Sequence, residues 1–408
     1  MKSVLLVSLR GSFLDSDRVF PPLGILYLKS VLDKNGVYSK LEDEFDFKNI
    51  EKYKNFDYIA ISITTPQKKE AQLIIQKIKE KFPSKKIIIG GPYASFYTED
   101  SIGLDSDYIV IGDGEKSILE IVLNNTEERI LKNELSVDEM NSFPLPFRSN
   151  NFLRKYHYKL DGLETTTVMT SRGCPFNCSF CEHAHTKVRY YELERVKDQL
   201  IQIVKFGYKA VMFFDDLFAV NQKRVEALCQ VIDEFNIKFR CFGHIRCMTS
   251  EMAEALAKAG CIETGVGMES GSQKILNTVK FPTPTIKQSH NYVKICHNAG
   301  IKVKAFFMLG LPGETKETIK ETEEFIATSQ IDDFDLGIYY PYKGTKIRDQ
   351  IQKYDIFLND NCSIGFYKGK KGSAEVAIRT SALSAEEIKI QQDRIFKKYK
   401  KIFKQNII

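Results

Sequence analysis

"TSRGCPFNCSFCEHAH", Thr170 to His185, sets three cysteines and two histidines within one short run of the chain. Three soft thiolate donors spaced CxxxCxxC, in a loop opened by glycine and proline, can converge on one metal centre, and an iron–sulfur cluster suits such a set. The residues alone leave two other readings open. One is a zinc site with three cysteines and either His183 or His185; the other is three unrelated core cysteines. The remaining cysteines, Cys229, Cys241, Cys247, Cys261, Cys296 and Cys362, are scattered singly. In a reducing compartment they read most simply as small buried apolar residues.

The loop follows "LETTTVMT", a β-rich run that opens a regular alternation. The strand-like segments "AVMFFDD", "KFRCFGHI", "IETGVGME", "KVKAFFMLGLPG" and "DFDLGIYYPY" are separated by helix-like segments such as "ELERVKDQLIQIVKFG" and "TIKETEEFIATSQ". Six strand–helix units fall short of the eight in a closed TIM barrel, so residues 163–355 are expected to form an open, partial (β/α)6 barrel. Upstream, residues 1–138 alternate continuous apolar runs ("VLLVSL", "YIAISITT", "KKIIIGG", "YIVIGDG") with amphipathic helices. That pattern predicts a doubly wound, Rossmann-like parallel sheet covered on both faces, with its ligand at the carboxyl ends of the strands. Residues 139–162 carry two prolines and read as a linker. Residues 356–408 read as a C-terminal helical extension, with Ser384 and Glu387 placed to form a capping box. The fold class is therefore α/β in two domains.

Hydrophobic residues make up 43% and charged residues 27% of the 408-residue chain, which suits a globular protein. No apolar run approaches the roughly 20 residues needed to cross a bilayer, and the start has too short an apolar run for a signal peptide, so a cytoplasmic location is expected. A formal charge of +6 is mild for this length and demands no nucleic-acid partner. The Lys/Gly-rich residues 368–373 read as a flexible solvated loop, with closure over an anionic ligand as the other reading.

With its aromatic Phe180 before the last cysteine, the loop resembles that of the radical SAM superfamily, and the resemblance extends over roughly residues 163–345. It implies that Cys174, Cys178 and Cys181 bind three irons of a 4Fe-4S cluster whose fourth iron chelates S-adenosylmethionine (SAM). One electron then cleaves the sulfonium to methionine and a 5'-deoxyadenosyl radical. By the same resemblance the SAM contacts are Phe180, Asp215 and Asp216 ("FFDDLF"), Arg246 ("HIRC"), Glu269 and Ser270 ("GVGMESGSQKIL"), and Gly310 and Leu311 ("FFMLGLPGET"). Glu269 is the candidate for the ribose hydroxyls, a task that suits an ionised carboxylate. The paired acids could equally cap a helix, and Arg246 could serve a structural ion pair. The last loop, "YYPYKGT", has Lys343 where relatives often show a proline before the glycine.

A doubly wound domain joined to such a barrel is similar to the cobalamin-binding radical SAM family. "SITT" at Ser62 and the Gly90-Gly91 turn resemble the small-residue loops that admit the cobalamin nucleotide tail. Ser62, Thr64, Thr65, Gly90, Gly91 and Gly112 are the candidate contacts, and a bulky residue at Gly91 is expected to block the tail. No histidine occurs before His157, so this domain cannot offer an imidazole to the lower face of cobalt.

The resemblance implies a cobalamin-dependent C-methyltransferase. The radical takes a hydrogen from an unactivated carbon of a small-molecule substrate, the carbon takes a methyl group from methylcobalamin, and a second SAM restores that group. An electron donor such as flavodoxin or ferredoxin is implied as partner. The alternatives are a cobalamin-free dehydratase, epimerase or cyclase with a vestigial first domain, and a non-catalytic cobalamin or iron–sulfur sensor. A second three-cysteine set, as tRNA methylthiolation would need, is not visible.

Overall fold

The computed structural model describes residues 2–11, 18–183, 186–359 and 376–404. The chain divides into two compact units, one running to His157 and the other from Tyr158 onward. His185, Cys362 and the 368–373 loop lie outside the described residues.

In the first unit, β1 (Ser3–Ser8), α1 (Leu23–Lys34), β2 (Tyr38–Glu42), β3 (Tyr58–Ser62), α2 (Lys68–Lys81) and β4 (Lys86–Gly90) are followed by the short helices α3 (Pro92–Phe96) and α4 (Thr98–Ile102). Then come β5 (Tyr108–Gly112), α5 (Gly114–Asn124), β6 (Ile130–Asn133), α6 (Val137–Ser142) and α7 (Asn150–Leu153). The strands pair in the order β2-β1-β3-β4-β5-β6, all parallel. Val4, Leu5, Leu6 and Val7 of β1 are all fully buried, because helices cover both faces of the sheet. The order reverses at β1 and β3, which opens a crevice at their carboxyl ends. Register brings Ser8, Ser62 and Gly90 side by side on that edge.

The second unit begins with a hairpin that the linker reading did not foresee. β7 (Tyr158–Leu160) runs antiparallel to β8 (Leu163–Val168), with Leu160 paired to Leu163. Asp161 and Gly162 turn the chain at φ 51° and 76°, the left-handed pair of a two-residue hairpin that an Asp-Gly dipeptide supplies. After the small arms β9 (Ser171–Arg172) and β10 (Arg189–Tyr190), the alternation is α8 (Leu193–Lys205), β11 (Ala210–Phe213), α9 (Gln222–Asp233), β12 (Lys238–Gly243), α10 (Ser250–Lys258) and β13 (Cys261–Glu269). It continues with α11 (Gln273–Val279), α12 (Ile286–Asn298), β14 (Lys302–Leu309), α13 (Lys316–Thr328), β15 (Asp333–Ile338) and α14 (Lys346–Asp349). The sheet order β15-β14-β13-β12-β11-β8-β7 contains six parallel strands with β7 at one edge, a curled half-barrel.

Here burial alternates along β14 and β15, as in β14, where Val303, Ala305, Phe307 and Leu309 are buried and their neighbours are not, whereas all four residues of β11 are buried. Helices cover one face, and the other lines the interior of the curl. That inner face carries Arg240, Glu263, Lys304 and Asp333 toward the amino ends of the strands, paired as Arg240–Glu263 at 2.9 Å and Lys304–Asp333 at 2.8 Å. Toward the carboxyl ends it carries Phe242, Phe306 and Met308. Beyond the barrel, β16 (Phe357–Leu358) and β17 (Ile378–Arg379) form a two-stranded ribbon, and α15 (Ala385–Lys404) closes the unit. Ser384 and Glu387 make the capping box reciprocally at 2.9 and 3.1 Å. Glu323 of α13 accepts from Arg394 and Lys398 of α15 at 2.6 and 2.8 Å.

Candidate active site

The cysteine loop is held on every side by groups distant in sequence. Its base is zipped by β9 and β10, with Ser171 paired to Tyr190 and Arg172 to Arg189. Gly173 stands at φ 97°, and a Cβ there would lie 2.3 Å from the carbonyl oxygen of Lys187, so only glycine fits. Along the floor, the Asn177 N–H donates to the Phe281 carbonyl at 3.0 Å, and the Ser179 N–H donates to that of Val279 at 2.9 Å. On one flank the ring of Phe176 lies parallel to the His244 imidazole.

Asp215 and Asp216 grip the start of the loop. The Asp215 carboxylate, 2% exposed, accepts from the Thr170 N–H at 2.7 Å, the Thr170 hydroxyl at 2.5 Å and the Ser171 hydroxyl at 2.6 Å. Burial pushes its pKa up to about 6, against the pull of those donors. Asp216, exposed, accepts from the Gly173 N–H at 2.9 Å, with His183 Nδ1 3.6 Å from its other oxygen. Both acids, expected as SAM contacts, thus hold the loop itself, and Asp215 has its oxygens engaged within the chain.

The three loop thiols are partly buried, and each lies near enough to another for like-charge repulsion to oppose ionisation. Burial raises all three pKa values, Cys181 to about 12, so a bare loop keeps its protons and metal must displace them. Among the described residues no three His, Cys, Asp or Glu side chains close on a single metal ion. Three neighbouring thiols on one braced loop instead suit a cluster, in which each anchors a different iron.

Glu269 ends β13 at a bulge, where the pairing with β14 shifts between Gly267 and Glu269. Its φ of 63° is left-handed, a conformation that costs a non-glycine residue about 1–3 kcal/mol and persists only where the surroundings enforce it. The enforcing groups are Lys280, whose Nζ lies 3.2 Å from Glu269 Oε1, and Gly267, where a Cβ would lie 2.1 Å from that oxygen. Lys280 is 3% exposed and escaped the sequence reading; a lysine following the buried Ile275, Leu276 and Val279 of α11 was its one signal.

The other expected contacts divide. Phe180 is half-buried in the loop, and Arg246 is exposed beyond the end of β12. Cys247 also lies past that strand, not along it with Cys241. Ser270, 2% exposed, shares a hydrogen bond with the Thr322 hydroxyl at 2.9 Å and accepts from the Ser272 N–H at 3.1 Å, so its hydroxyl is engaged internally. Leu311 is fully buried. Gly310 has φ 84°, and the side a Cβ would take is filled by Ile378 at 2.6 Å. Its N–H donates to the carboxyl of Glu314, a fully buried residue that burial pushes up to about 8.

In the first unit, Ser62, Gly90 and Gly112 stand at the carboxyl ends of β3, β4 and β5. Small, partly exposed residues beside the β1/β3 reversal fit the entry of a ligand tail. The Thr64 hydroxyl is engaged with Gln67 at 2.8 Å and Thr65 begins the following 3-10 turn. Ser95, unforeseen, links two of the glycine turns: its hydroxyl donates to the Gly91 carbonyl at 3.2 Å and accepts from the Gly112 N–H at 3.0 Å. The expectation for Gly91 needs correction. At φ 88° a Cβ there would lie 2.8 Å from Ser62 Oγ and 3.0 Å from the Ile63 backbone, so a bulky residue disrupts the turn whether or not a ligand is present. Gly112, whose Cβ would lie 2.3 Å from the Asn133 carbonyl oxygen, is likewise fixed by backbone approach.

Residues 168–326 match the radical SAM superfamily and residues 14–122 the B12 binding domain. The protein is a radical SAM enzyme, using a 4Fe-4S cluster and SAM. The same chain carries a B12 binding domain, with cobalamin as third cofactor. The chain is 29% identical to an uncharacterised methyltransferase of Pyrococcus horikoshii, covering 84% of this chain and 80% of that one. It is 25% identical to a bacteriochlorophyllide d C-8(2)-methyltransferase of Chlorobaculum tepidum, covering 76% and 71%. In fold it is similar to the radical SAM methyltransferase TsrM of Kitasatospora setae, with cobalamin and cluster bound, at TM-score 0.70 and 17% identity over 88% of this chain and 81% of that one. Among the described residues no helix is long and apolar enough to cross a membrane.

Proposed function

We propose that the enzyme is a cobalamin-dependent C-methyltransferase acting on an unactivated carbon of a small molecule. The observation that carries this reading is the pairing, in one chain, of a braced three-cysteine loop with a small-residue crevice in a B12 binding domain. Relatives named as methyltransferases support it. When bound, the reduced cluster supplies the electron that cleaves SAM, and methylcobalamin supplies the methyl group. Cys174, Cys178 and Cys181 hold the cluster, with Asp215 and Asp216 fixing the loop that carries them. Glu269 accepts hydrogen bonds from the ribose hydroxyls, and the Gly310 turn and Phe180 border the adenosine. Phe242 and Phe306, with ring centroids 6.0 Å apart, give the inner face an apolar wall against which a substrate carbon is kept from water. A flavodoxin or ferredoxin in the cytoplasm delivers the electrons.

The test is anaerobic purification with cluster reconstitution and supplied cobalamin, followed by iron and cobalt counts. About four irons and one cobalt per chain are expected, with a cobalt(II) EPR spectrum lacking nitrogen splitting from a protein imidazole. Iron without cobalt uptake returns the enzyme to the cobalamin-free radical reading.

A further inference from the structure

Lys280 sits where a fixed charge reaches the cluster loop. The chain just after α11 forms the loop's floor, and Cys178 and Lys280 face each other between the bonds from Asn177 to Phe281 and from Ser179 to Val279. The Lys280 ammonium donates to the Gly267 carbonyl and pairs with Glu269. Its positive charge is felt by Cys174 and Cys178, whose thiols burial raises and Lys280 pulls back. It is felt by His244 too, which burial, Lys280 and Arg246 together hold down at about 3. A buried ammonium is costly without compensation, so its place between a carboxylate and two of the metal-binding thiols, Cys174 and Cys178, calls for an electrostatic purpose.

Three thiolates make the cluster assembly net negative, and reduction adds a further negative charge. A buried cation facing that assembly stabilises the reduced form more than the oxidised one, because the local dielectric is low and water cannot screen it. Glu269, bonded to the same ammonium, acts with the opposite sign. We propose that Lys280 raises the reduction potential of the cluster, and that the Lys280–Glu269 pair sets that potential while holding Glu269 in its left-handed turn. Lys280 is in this sense a positioning and charge-compensating residue. The step concerned is the gain of one electron by the cluster from a low-potential donor of the flavodoxin class.

The inference rests on the cluster assignment to the three cysteines. Its test is an EPR-monitored potentiometric titration of the reconstituted full-length protein, without SAM or substrate, for wild type and for Lys280→Met, Lys280→Arg and Glu269→Gln. Lys280→Met is expected to shift the midpoint to more negative values, Lys280→Arg to lie near wild type, and Glu269→Gln to shift it to more positive values. A merely structural role would give no shifts of opposite sign. Lys280→Met with full iron and an unchanged midpoint overturns the inference; should that variant fail to hold iron, an unchanged or more negative midpoint in Glu269→Gln overturns it instead. A wild-type protein without a 4Fe-4S signal overturns the underlying cluster assignment, a separable result.

Discussion

The ring of Phe176, in the middle of the cysteine loop, lies flat on the imidazole of His244, with centroids 3.7 Å apart and planes 10° from parallel. The contact ties the loop after β8 to the turn after β12. His244 Nδ1 lies 3.2 Å from the Arg246 N–H and acts as its acceptor, so the ring is neutral there, in keeping with a pKa near 3. Phe176→Ala should loosen the loop without unfolding the barrel, since such ring pairs contribute about 0.5–1.5 kcal/mol beyond their buried area. The expected reading is faster loss of iron to a chelator than from wild type, by the same factor at pH 6 and pH 8, because His244, at about 3, does not titrate between them.

Asp215→Ala should destabilise the second unit by about 2–4 kcal/mol, because three donors from Thr170 and Ser171 lose their buried acceptor. Asp215→Asn should cost less, since an amide oxygen can still accept. Equilibrium denaturation of the two variants checks the order, and an Ala variant as stable as wild type would show the grip on the loop to be idle.

Glu269→Ala should weaken SAM binding by about 2–4 kcal/mol, the worth of two charge-assisted hydrogen bonds, while the iron count stays at the wild-type value. It also strands the Lys280 ammonium, so a fall in thermal stability is expected alongside. Isothermal titration with SAM measures the first effect; unchanged affinity removes Glu269 from the ribose.

Glu314 makes stability fall with rising pH. Its pKa is raised from 4.5 to about 8, chiefly by burial, so between those values the folded chain holds a proton that the unfolded chain has released. Fewer protons in the unfolded state means stability declines across that window and levels off above it. Glu314→Gln, neutral at all pH values, should remove this slope and raise the melting temperature relative to wild type more at pH 8 than at pH 5. A difference independent of pH would refute the assignment.

Gly91→Leu should lower the stability of the first unit even without cobalamin, whereas Gly90→Ala should not, because its Cβ meets Val110 Cβ at an ordinary 3.6 Å. Differential scanning calorimetry of the cobalamin-free variants separates the two. Loss of cobalamin in Gly91→Leu therefore says nothing about a tail contact unless the apo variant is shown to fold.

Much of the architecture was legible because it is written locally. Continuous apolar runs in the first unit predict a sheet covered on both faces, and six strand–helix units in the second predict a partial barrel. The Ser384–Glu387 box needs only four neighbouring residues. The β7–β8 hairpin was legible too: its Asp161-Gly162 turn stands in the sequence, but the prolines upstream drew the segment into a linker.

The three-cysteine spacing, the strand-ending glycines and the absence of any histidine before His157 needed nothing beyond the chain itself, since loop chemistry and backbone freedom are properties of adjacent residues. Partnership across long separations belongs to the folded chain alone. Asp215 meets Thr170 from 45 residues away, and Ser179 meets Thr278 from 99. Lys280 turns from an ordinary lysine into a buried cation facing Cys178. No local pattern encodes such encounters, because the curl of the half-barrel brings the ends of β8, β11 and β13 together, and burial then converts proximity into charge balance, shifted pKa values and a strained, purposeful Glu269.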